Sequence, residues 1–169
     1  MKVKRISTGY VPRPLQSYIH SQLKRFNVLV CHRRFGKTVL SINEMLNRGL
    51  NCQLHNPQYA YIAPTYKQAK MIAWEYLQDF SRMLPGYKAN KQELTVYLER
   101  PGVRRPKGQL WDGSRAEYGE NDEWIKRPDT IKYILLGSDE PDAIRGIYLD
   151  GAILDEFAQC DPILWGQIV

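Results

Sequence analysis

The sequence predicts an α/β fold with a mostly parallel central sheet flanked by helices. Three observations support this class. Short apolar runs typical of buried strands alternate with segments whose apolar residues recur at helical spacing. This alternation favours crossover connections, and therefore parallel strands. Two of the runs are followed by residues suited to phosphate and metal chemistry, which parallel sheets commonly carry at the carboxyl ends of their strands.

The first half of the chain is predicted to hold two strands, each followed by a helix. Residues 28–30 form a short apolar run that predicts a buried strand, and Gly49 is a suitable stop for the helix after it. Residues 59–63 predict a second strand ended by Pro64, and Thr65 can cap the next helix. The helical stripes comprise positions 39, 42, 45 and 46 in the first helix and 69, 72, 73, 76, 77, 80 and 83 in the second.

The second half is predicted to add three strands. Apolar residues alternate over 94–98, as on a half-buried strand, and 131–136 and 148–154 are apolar runs. Residues 99–130 are rich in Gly, Pro and charge and predict a long loop. That loop is either simply solvated or a DNA contact. A final helix is expected to begin at Asp161.

Composition and charge limit the function classes. The net charge is +6, with ten Lys and Arg against one acid in residues 1–50 and seven acids against one base in 139–169. A basic end and an acidic end suit a site where phosphates meet a metal, and the net charge fits a polyanionic partner. No apolar run approaches the ~20 residues of a membrane span. The three cysteines have no metal-ligand spacing, which predicts a reducing compartment.

The Gly-Lys-Thr turn at residues 36–38 predicts a phosphate-binding loop. Gly36 lets the backbone approach phosphates, Lys37 places a charge on them, and the Thr38 hydroxyl can ligate Mg²⁺. The usual pattern, G-x-x-x-x-G-K-[ST], departs here because Cys31 occupies the first glycine position. An ordinary helix start is the alternative interpretation.

Asp155 and Glu156 follow the last predicted strand directly. Two adjacent carboxylates at the tip of a buried strand are costly without a cation or another polar partner. We therefore predict that Asp155 holds Mg²⁺ and that Glu156 activates the attacking water as general base. The alternative is an acidic pair simply exposed to solvent.

The ordered set of segments resembles the large terminase subunit of tailed bacteriophages, specifically its N-terminal ATPase domain. The likeness lies in residues 13–16, 31–38, 61–65 and 137–158. The family's phosphate loop contains arginines and often lacks the first glycine, which accommodates Cys31. The resemblance implies a P-loop NTPase fold of the ASCE (RecA-like) class. It also implies that residues 1–169 are part of that domain, with its remainder and a nuclease domain outside them.

The resemblance also implies roles for four residues. Gln16 corresponds to the reader of the adenine edge, where an ordinary surface glutamine is the alternative. Arg33 corresponds to an arginine beside the γ-phosphate, and its neighbour Arg34 could be confused with it. Arg145 corresponds to an arginine that reaches the nucleotide of a neighbouring subunit, where a local salt bridge is the alternative. Such an arginine finger contributes roughly 10³–10⁵ in rate.

The function implied is an ATP-hydrolysing, Mg²⁺-dependent motor that packages viral double-stranded DNA into a procapsid. Its partners would be DNA, the portal protein, the small terminase subunit and further copies in a ring, with no membrane, in the host-cell cytoplasm. One alternative is a DEAD-like helicase or translocase, although Phe157 and Ala158 do not fit its motif after Asp-Glu. The other is a non-hydrolysing assembly module that binds nucleotide or DNA.

Overall fold

The computed structural model describes residues 7–100, 129–139 and 144–168. The strands are β1 (Gln58–Ala63), β2 (Lys88–Asn90), β3 (Thr95–Arg100), β4 (Asp129–Gly137) and β5 (Gly151–Leu154). The helices are α1 (Pro14–Gln22), α2 (Lys37–Asn51), α3 (Tyr66–Ser81) and the short α4 (Trp165–Ile168). Two 3₁₀ turns, Phe157–Gln159 and Pro162–Leu164, lie between β5 and α4.

The strands form one sheet in the order β2–β3–β4–β1–β5. β1 pairs in parallel with β4 on one side and with β5 on the other. β3 runs antiparallel to both β2 and β4. The predicted α/β class with a mostly parallel core is therefore confirmed, and the antiparallel part lies at the β2 edge. The carboxyl ends of β1, β4 and β5 consequently meet at one edge of the sheet.

Helices α2 and α3 cover one face of the sheet and form the larger core with it. β1 contributes Tyr59, Tyr61 and Ala63 to this core, while Ala60 and Ile62 face the opposite side, as the period of two requires. The second face carries a smaller cluster that includes Ile144, Cys160 and Leu164. Because both faces of β1 are covered, its buried residues 59–63 are all apolar or tyrosine.

Thr65 caps α3 as predicted. Its hydroxyl accepts a hydrogen bond from the Gln68 backbone N–H at 3.2 Å. The buried stripe is narrower than predicted, since Ile72 and Tyr76 are more than one-third exposed and Met83 is 85% exposed beyond the helix. Trp74 is buried instead. A helix lying on a sheet buries one narrow face, and the predicted stripe was wider than that face.

One predicted strand is absent, and another begins later than predicted. Residues 28–30 form no strand, and Val28 and Val30 are 91% and 94% exposed. A strand is defined by its ladder hydrogen bonds, and residues 28–30 form none with the described sheet, although the outer side of its edge strand β5 has no partner there. The last strand begins at Gly151, and Tyr148 before it is 69% exposed. Apolar character alone did not reveal whether a partner strand is available.

The alternating run after Leu94 is confirmed as strand β3. Leu94, Val96 and Leu98 are fully buried. β3 extends to Arg100 and β4 begins at Asp129, so both ends of the predicted long loop belong to the sheet. Residues 101–128 lie outside the described residues, and a DNA contact there stays a prediction. Asp161 begins a 3₁₀ turn, where its carboxylate accepts from the Ile163 N–H at 2.9 Å, before α4.

Gly49 does not end α2, which continues to Asn51. A Cβ at Gly49 would lie 2.2 Å from the Tyr133 hydroxyl oxygen, which donates to the Leu46 carbonyl at 3.0 Å. The glycine is therefore required by the close approach of α2 to β4. This requirement is tertiary, and the prediction of a helix stop was wrong for that reason.

We predict that Gly49→Ala destabilises the protein. Alanine in a helix interior ordinarily gains about 1 kcal/mol over glycine, but the new methyl group collides with Tyr133. Overpacking of this kind costs about 1–3 kcal/mol. Denaturant titration followed by circular dichroism measures the free energy of unfolding. Gly166→Ala is the control, since a Cβ there meets no atom within 4 Å. Equal or greater stability of Gly49→Ala would contradict the packing argument.

Candidate nucleotide-binding site

The loop before α2 turns sharply into the helix at Gly36. Gly36 has φ 88° and ψ 36°, a left-handed conformation that glycine adopts without strain. A Cβ at this position would also lie 2.9 Å from Gln16 Nε2 and 3.3 Å from Arg13 Nη2. The first N–H groups of α2 have no partner within the helix and carry the positive end of its dipole. The loop and the N-terminal end of α2 therefore form a site that can bind an anion.

Lys37 connects this loop to the tip of β5. Its Nζ lies 3.9 Å from Glu156 Oε1 and 3.5 Å from the Cys31 carbonyl oxygen. The Lys37 and Glu156 side chains are 36% and 54% exposed, so solvent screens their attraction. The two segments that sequence analysis assigned to phosphate and water chemistry, separated by more than a hundred residues, are adjacent in the fold.

Asp155 is held by the sheet and by a buried phenol. Its backbone N–H donates to the Ile62 carbonyl at 2.9 Å, continuing the β1–β5 ladder. Its Oδ2 accepts a hydrogen bond of 2.5 Å from the Tyr61 hydroxyl. Burial and the Asp155 carboxylate raise the pKa of Tyr61 far above its ordinary value, so the phenol remains a donor.

Glu156 adopts a left-handed backbone conformation, with φ 47° and ψ 44°. A non-glycine residue pays roughly 1–2 kcal/mol for this conformation. The chain turns here out of the strand edge and into the Phe157–Gln159 turn. Strain of this kind is characteristic of functional positions, and here it presents the Glu156 carboxylate to solvent beside Lys37.

Gln16 lies behind the phosphate loop and is 3% exposed. Its Nε2 donates to the carbonyls of Phe35 and Gly36, each at 3.4 Å, and its Oε1 accepts from the Arg13 N–H at 2.9 Å. The alternative of an ordinary surface glutamine is wrong, because the amide braces the loop. The contact with adenine stays a prediction.

The three predicted arginines are all exposed. Arg33 and Arg34 lie in the loop, and Arg34 has a φ of 64°. Neither guanidinium forms a hydrogen bond or ion pair with another described residue, so both are available to an anion. Arg145 lies in the connection from β4 to β5, one residue after the buried Ile144. Their roles stay predictions.

The oxygen donors at the site fit a magnesium ion that is shared with phosphates. Thr38 supplies a hydroxyl in the first turn of α2, and Asp155 supplies a carboxylate, both hard ligands. In the part of the chain that the structure describes, no group of three or more His, Cys, Asp or Glu could hold a metal by itself. A cation here therefore requires further oxygens, which nucleotide phosphates and water provide.

Two site residues were missed by the sequence analysis. Tyr61 was read only as part of a strand, and Arg13 only as part of a segment, yet both contact the predicted machinery. A polar atom in the middle of a strand buried on both faces was the available signal for Tyr61, since a buried hydroxyl needs a partner. No local pattern could have identified the partner as Asp155.

The strain at Glu156 predicts that asparagine and glutamine differ there. Asparagine tolerates the left-handed region better than glutamine, while both remove the charge that faces Lys37. We expect Glu156→Asn to have a higher free energy of unfolding than Glu156→Gln, by up to about 1 kcal/mol. Chemical denaturation of both variants measures the difference. Equal stabilities would show that the left-handed conformation carries no strain.

No family model matches the sequence, but it is similar to known proteins over most of its length. A large terminase subunit of Thermus virus P23-45 is 28% identical over 165 residues, covering 95% of this chain and 31% of that protein. A large terminase subunit of another Thermus phage is 27% identical over 168 residues. The chain spans about a third of the length of these curated relatives.

In the part of the chain that the structure describes, no helix is long and apolar enough to cross a membrane.

Solved structures of large terminases share the fold of this chain. The ATPase domain of the large terminase of Thermus phage P74-26 superposes with a TM-score of 0.67 and 25% identity, covering 95% of this chain and 59% of that chain. The large terminase of a thermophilic bacteriophage, at 15% identity and a TM-score of 0.55, shares the fold. The resemblance is thereby confirmed: this chain is similar over 95% of its length to large terminase subunits of Thermus phages and has the fold of a large terminase ATPase domain.

Proposed function

We propose that this chain binds Mg-ATP and hydrolyses it as the ATPase part of a DNA-packaging motor. The observation that carries the proposal is the 3.9 Å approach of Lys37 to Glu156. It joins an anion-binding helix start to a strand tip with two carboxylates, as a nucleotide hydrolase requires. The similarity to a terminase ATPase domain supports the same reaction.

Binding would exchange one weak contact for stronger ones. An exposed ion pair such as Lys37–Glu156 contributes about 0–1 kcal/mol. Phosphate oxygens offer Lys37 a charge-assisted contact next to the N–H groups of α2, so the lysine transfers to the β- and γ-phosphates at little cost. This transfer also releases Glu156 from its cation. The carboxylate is then free to accept a proton.

Hydrolysis is in-line attack of water on the γ-phosphorus. Glu156 orients the water and accepts its proton while the bond from the γ-phosphorus to the bridging oxygen breaks, giving ADP and phosphate. Arg33, with Arg34 beside it, would balance the charge on the γ-phosphoryl oxygens. Arg145 would do so from a neighbouring subunit, as the resemblance implies. Fixed positive groups aimed at this charge lower the barrier.

Thr38 and Asp155 would hold the magnesium ion. When bound, the ion supplies Lewis-acid neutralisation of phosphate charge. To contact adenine, the buried Gln16 would exchange its hydrogen bonds with Arg13, Phe35 and Gly36 for the base edge.

The motor role is proposed from the relatives, of which the chain spans about a third. Double-stranded DNA, the portal protein, the small terminase subunit and further copies in a ring would be the partners, in the host cytoplasm. The net charge of +6 is consistent with a DNA partner. Phe157 and Ala158 after Asp155-Glu156 disfavour a DEAD-like helicase.

Loss of the Lys37 charge should abolish nucleotide binding. Calorimetry with a non-hydrolysable ATP analogue and Mg²⁺ should give saturable binding for the unmodified chain and none for Lys37→Ala. Lys88→Ala is the matched control, because Lys88 is an exposed lysine on β2 at the far edge of the sheet. Absence of binding by the unmodified chain, or equal affinity of Lys37→Ala, would refute the phosphate site.

Glu156→Gln separates hydrolysis from binding. The variant keeps the shape of the side chain but cannot accept the proton, so we expect nucleotide affinity to persist and turnover to fall by about 10²-fold or more. Phosphate release is the measurement. Undiminished turnover would remove Glu156 from its role as base. Binding without turnover in the unmodified chain would instead favour the non-hydrolysing module.

A further inference from the structure

The hydroxyl of Tyr61 contacts Asp155, one of the two residues proposed to hold the cation. Tyr61 is fully buried in β1, and its hydroxyl donates to Asp155 Oδ2 at 2.5 Å. A buried group in β1 therefore contacts the end of β5, the strand that leads into the two carboxylates.

Tyr61 lies in the strand that is paired on both sides, one residue before Ile62, whose carbonyl accepts from the Asp155 N–H. It pairs with Leu135 of β4 and Ile153 of β5, in the strand that has a neighbour on both sides. Its ring packs within the larger core. Asp155, in contrast, is followed at once by the left-handed turn at Glu156. The hydroxyl is thus a fixed point from which a side chain at the edge of the sheet can be oriented.

The donor and acceptor capacities of a phenol suit this arrangement. A tyrosine hydroxyl has one proton to donate and lone pairs to accept with. Its proton is given to Asp155 Oδ2, which leaves Oδ1 for a cation or its water. Asp155 therefore presents an oxygen with unoccupied lone pairs to a cation.

We propose that Tyr61 is a positioning residue that orients Asp155 for a divalent cation on bound nucleotide. The inference rests on the proposed Mg-ATP function and deepens it. Partners that orient metal ligands commonly alter metal affinity by roughly 10–100-fold when removed. The competing explanation is that Asp155 only satisfies a buried hydroxyl. That explanation predicts a loss of stability without any change in metal dependence.

Tyr61→Phe and Tyr133→Phe form a matched pair of variants. Both tyrosines are fully buried on the same face of neighbouring strands, and each donates one hydrogen bond, Tyr61 to Asp155 and Tyr133 to the Leu46 carbonyl. Each substitution removes one oxygen and keeps the ring. Both variants should lose similar stability in thermal unfolding. Only Tyr61 is near the proposed cation.

The measurement is the dissociation constant of a non-hydrolysable ATP analogue with Mg²⁺ and with EDTA, by calorimetry on the full chain. The Mg²⁺ gain is the dissociation constant in EDTA divided by that in Mg²⁺. This ratio should be about 10-fold or more smaller in Tyr61→Phe than in the unmodified chain. In Tyr133→Phe it should equal the value of the unmodified chain. In an Asp155→Asn background, Tyr61→Phe should have no further effect on this gain, because residues that act together are not additive. Electron paramagnetic resonance of Mn²⁺ in place of Mg²⁺ gives a second readout that needs no turnover.

The outcomes separate the inference from the proposed function. An unchanged Mg²⁺ gain in Tyr61→Phe overturns the inference and leaves the function intact. An equal loss of affinity with and without Mg²⁺ also overturns it, since Tyr61 would then only support the loop. If the unmodified chain binds nucleotide without any Mg²⁺ gain, or does not bind it, the proposed Mg-ATP function fails and the inference with it.

Discussion

The site depends on the pairing of β1 with β4 on one side and β5 on the other. In this ladder Ile62 lies opposite Leu136 and Leu154, so the carboxyl ends of three parallel strands align. The Ile62 carbonyl accepts from the Asp155 N–H, and the Ala63 carbonyl accepts from the Ser138 N–H. A slip of one residue would turn every side chain to the other face. The register of β1 therefore determines where the acidic pair points.

The assembled site has a fixed half and an exchangeable half. The fixed half is the hydrogen bond from Tyr61 to Asp155, formed by a fully buried phenol within the sheet. The exchangeable half is the exposed pair of Lys37 and Glu156, which solvent screens. Rigid support beside exposed, weakly paired charges suits a site that must bind, react and release anions repeatedly. When phosphates bind, Lys37 can leave Glu156 for them, and the Glu156 carboxylate is then free of its ion pair.

The predictions that succeeded were those with local causes. The strand at 59–63, the Thr65 cap and the start of α2 after Gly36 each follow from apolar pattern, capping chemistry and glycine. The predictions that failed concern features that depend on contacts with distant parts of the chain. Residues 28–30 are as apolar as a strand but have no neighbour among the described strands, and Gly49 continues a helix because Tyr133 approaches it.

The amino-acid sequence by itself determined the class of fold and the residue types of the phosphate loop and the acidic pair. These are properties of short segments, where periodicity and side-chain chemistry act over a few residues. Only the tertiary structure decided that Lys37 meets Glu156, that Gln16 braces the loop and that Tyr61 reaches Asp155. Those contacts join residues up to 119 positions apart, and strand register and helix packing, which no local pattern encodes, bring them together.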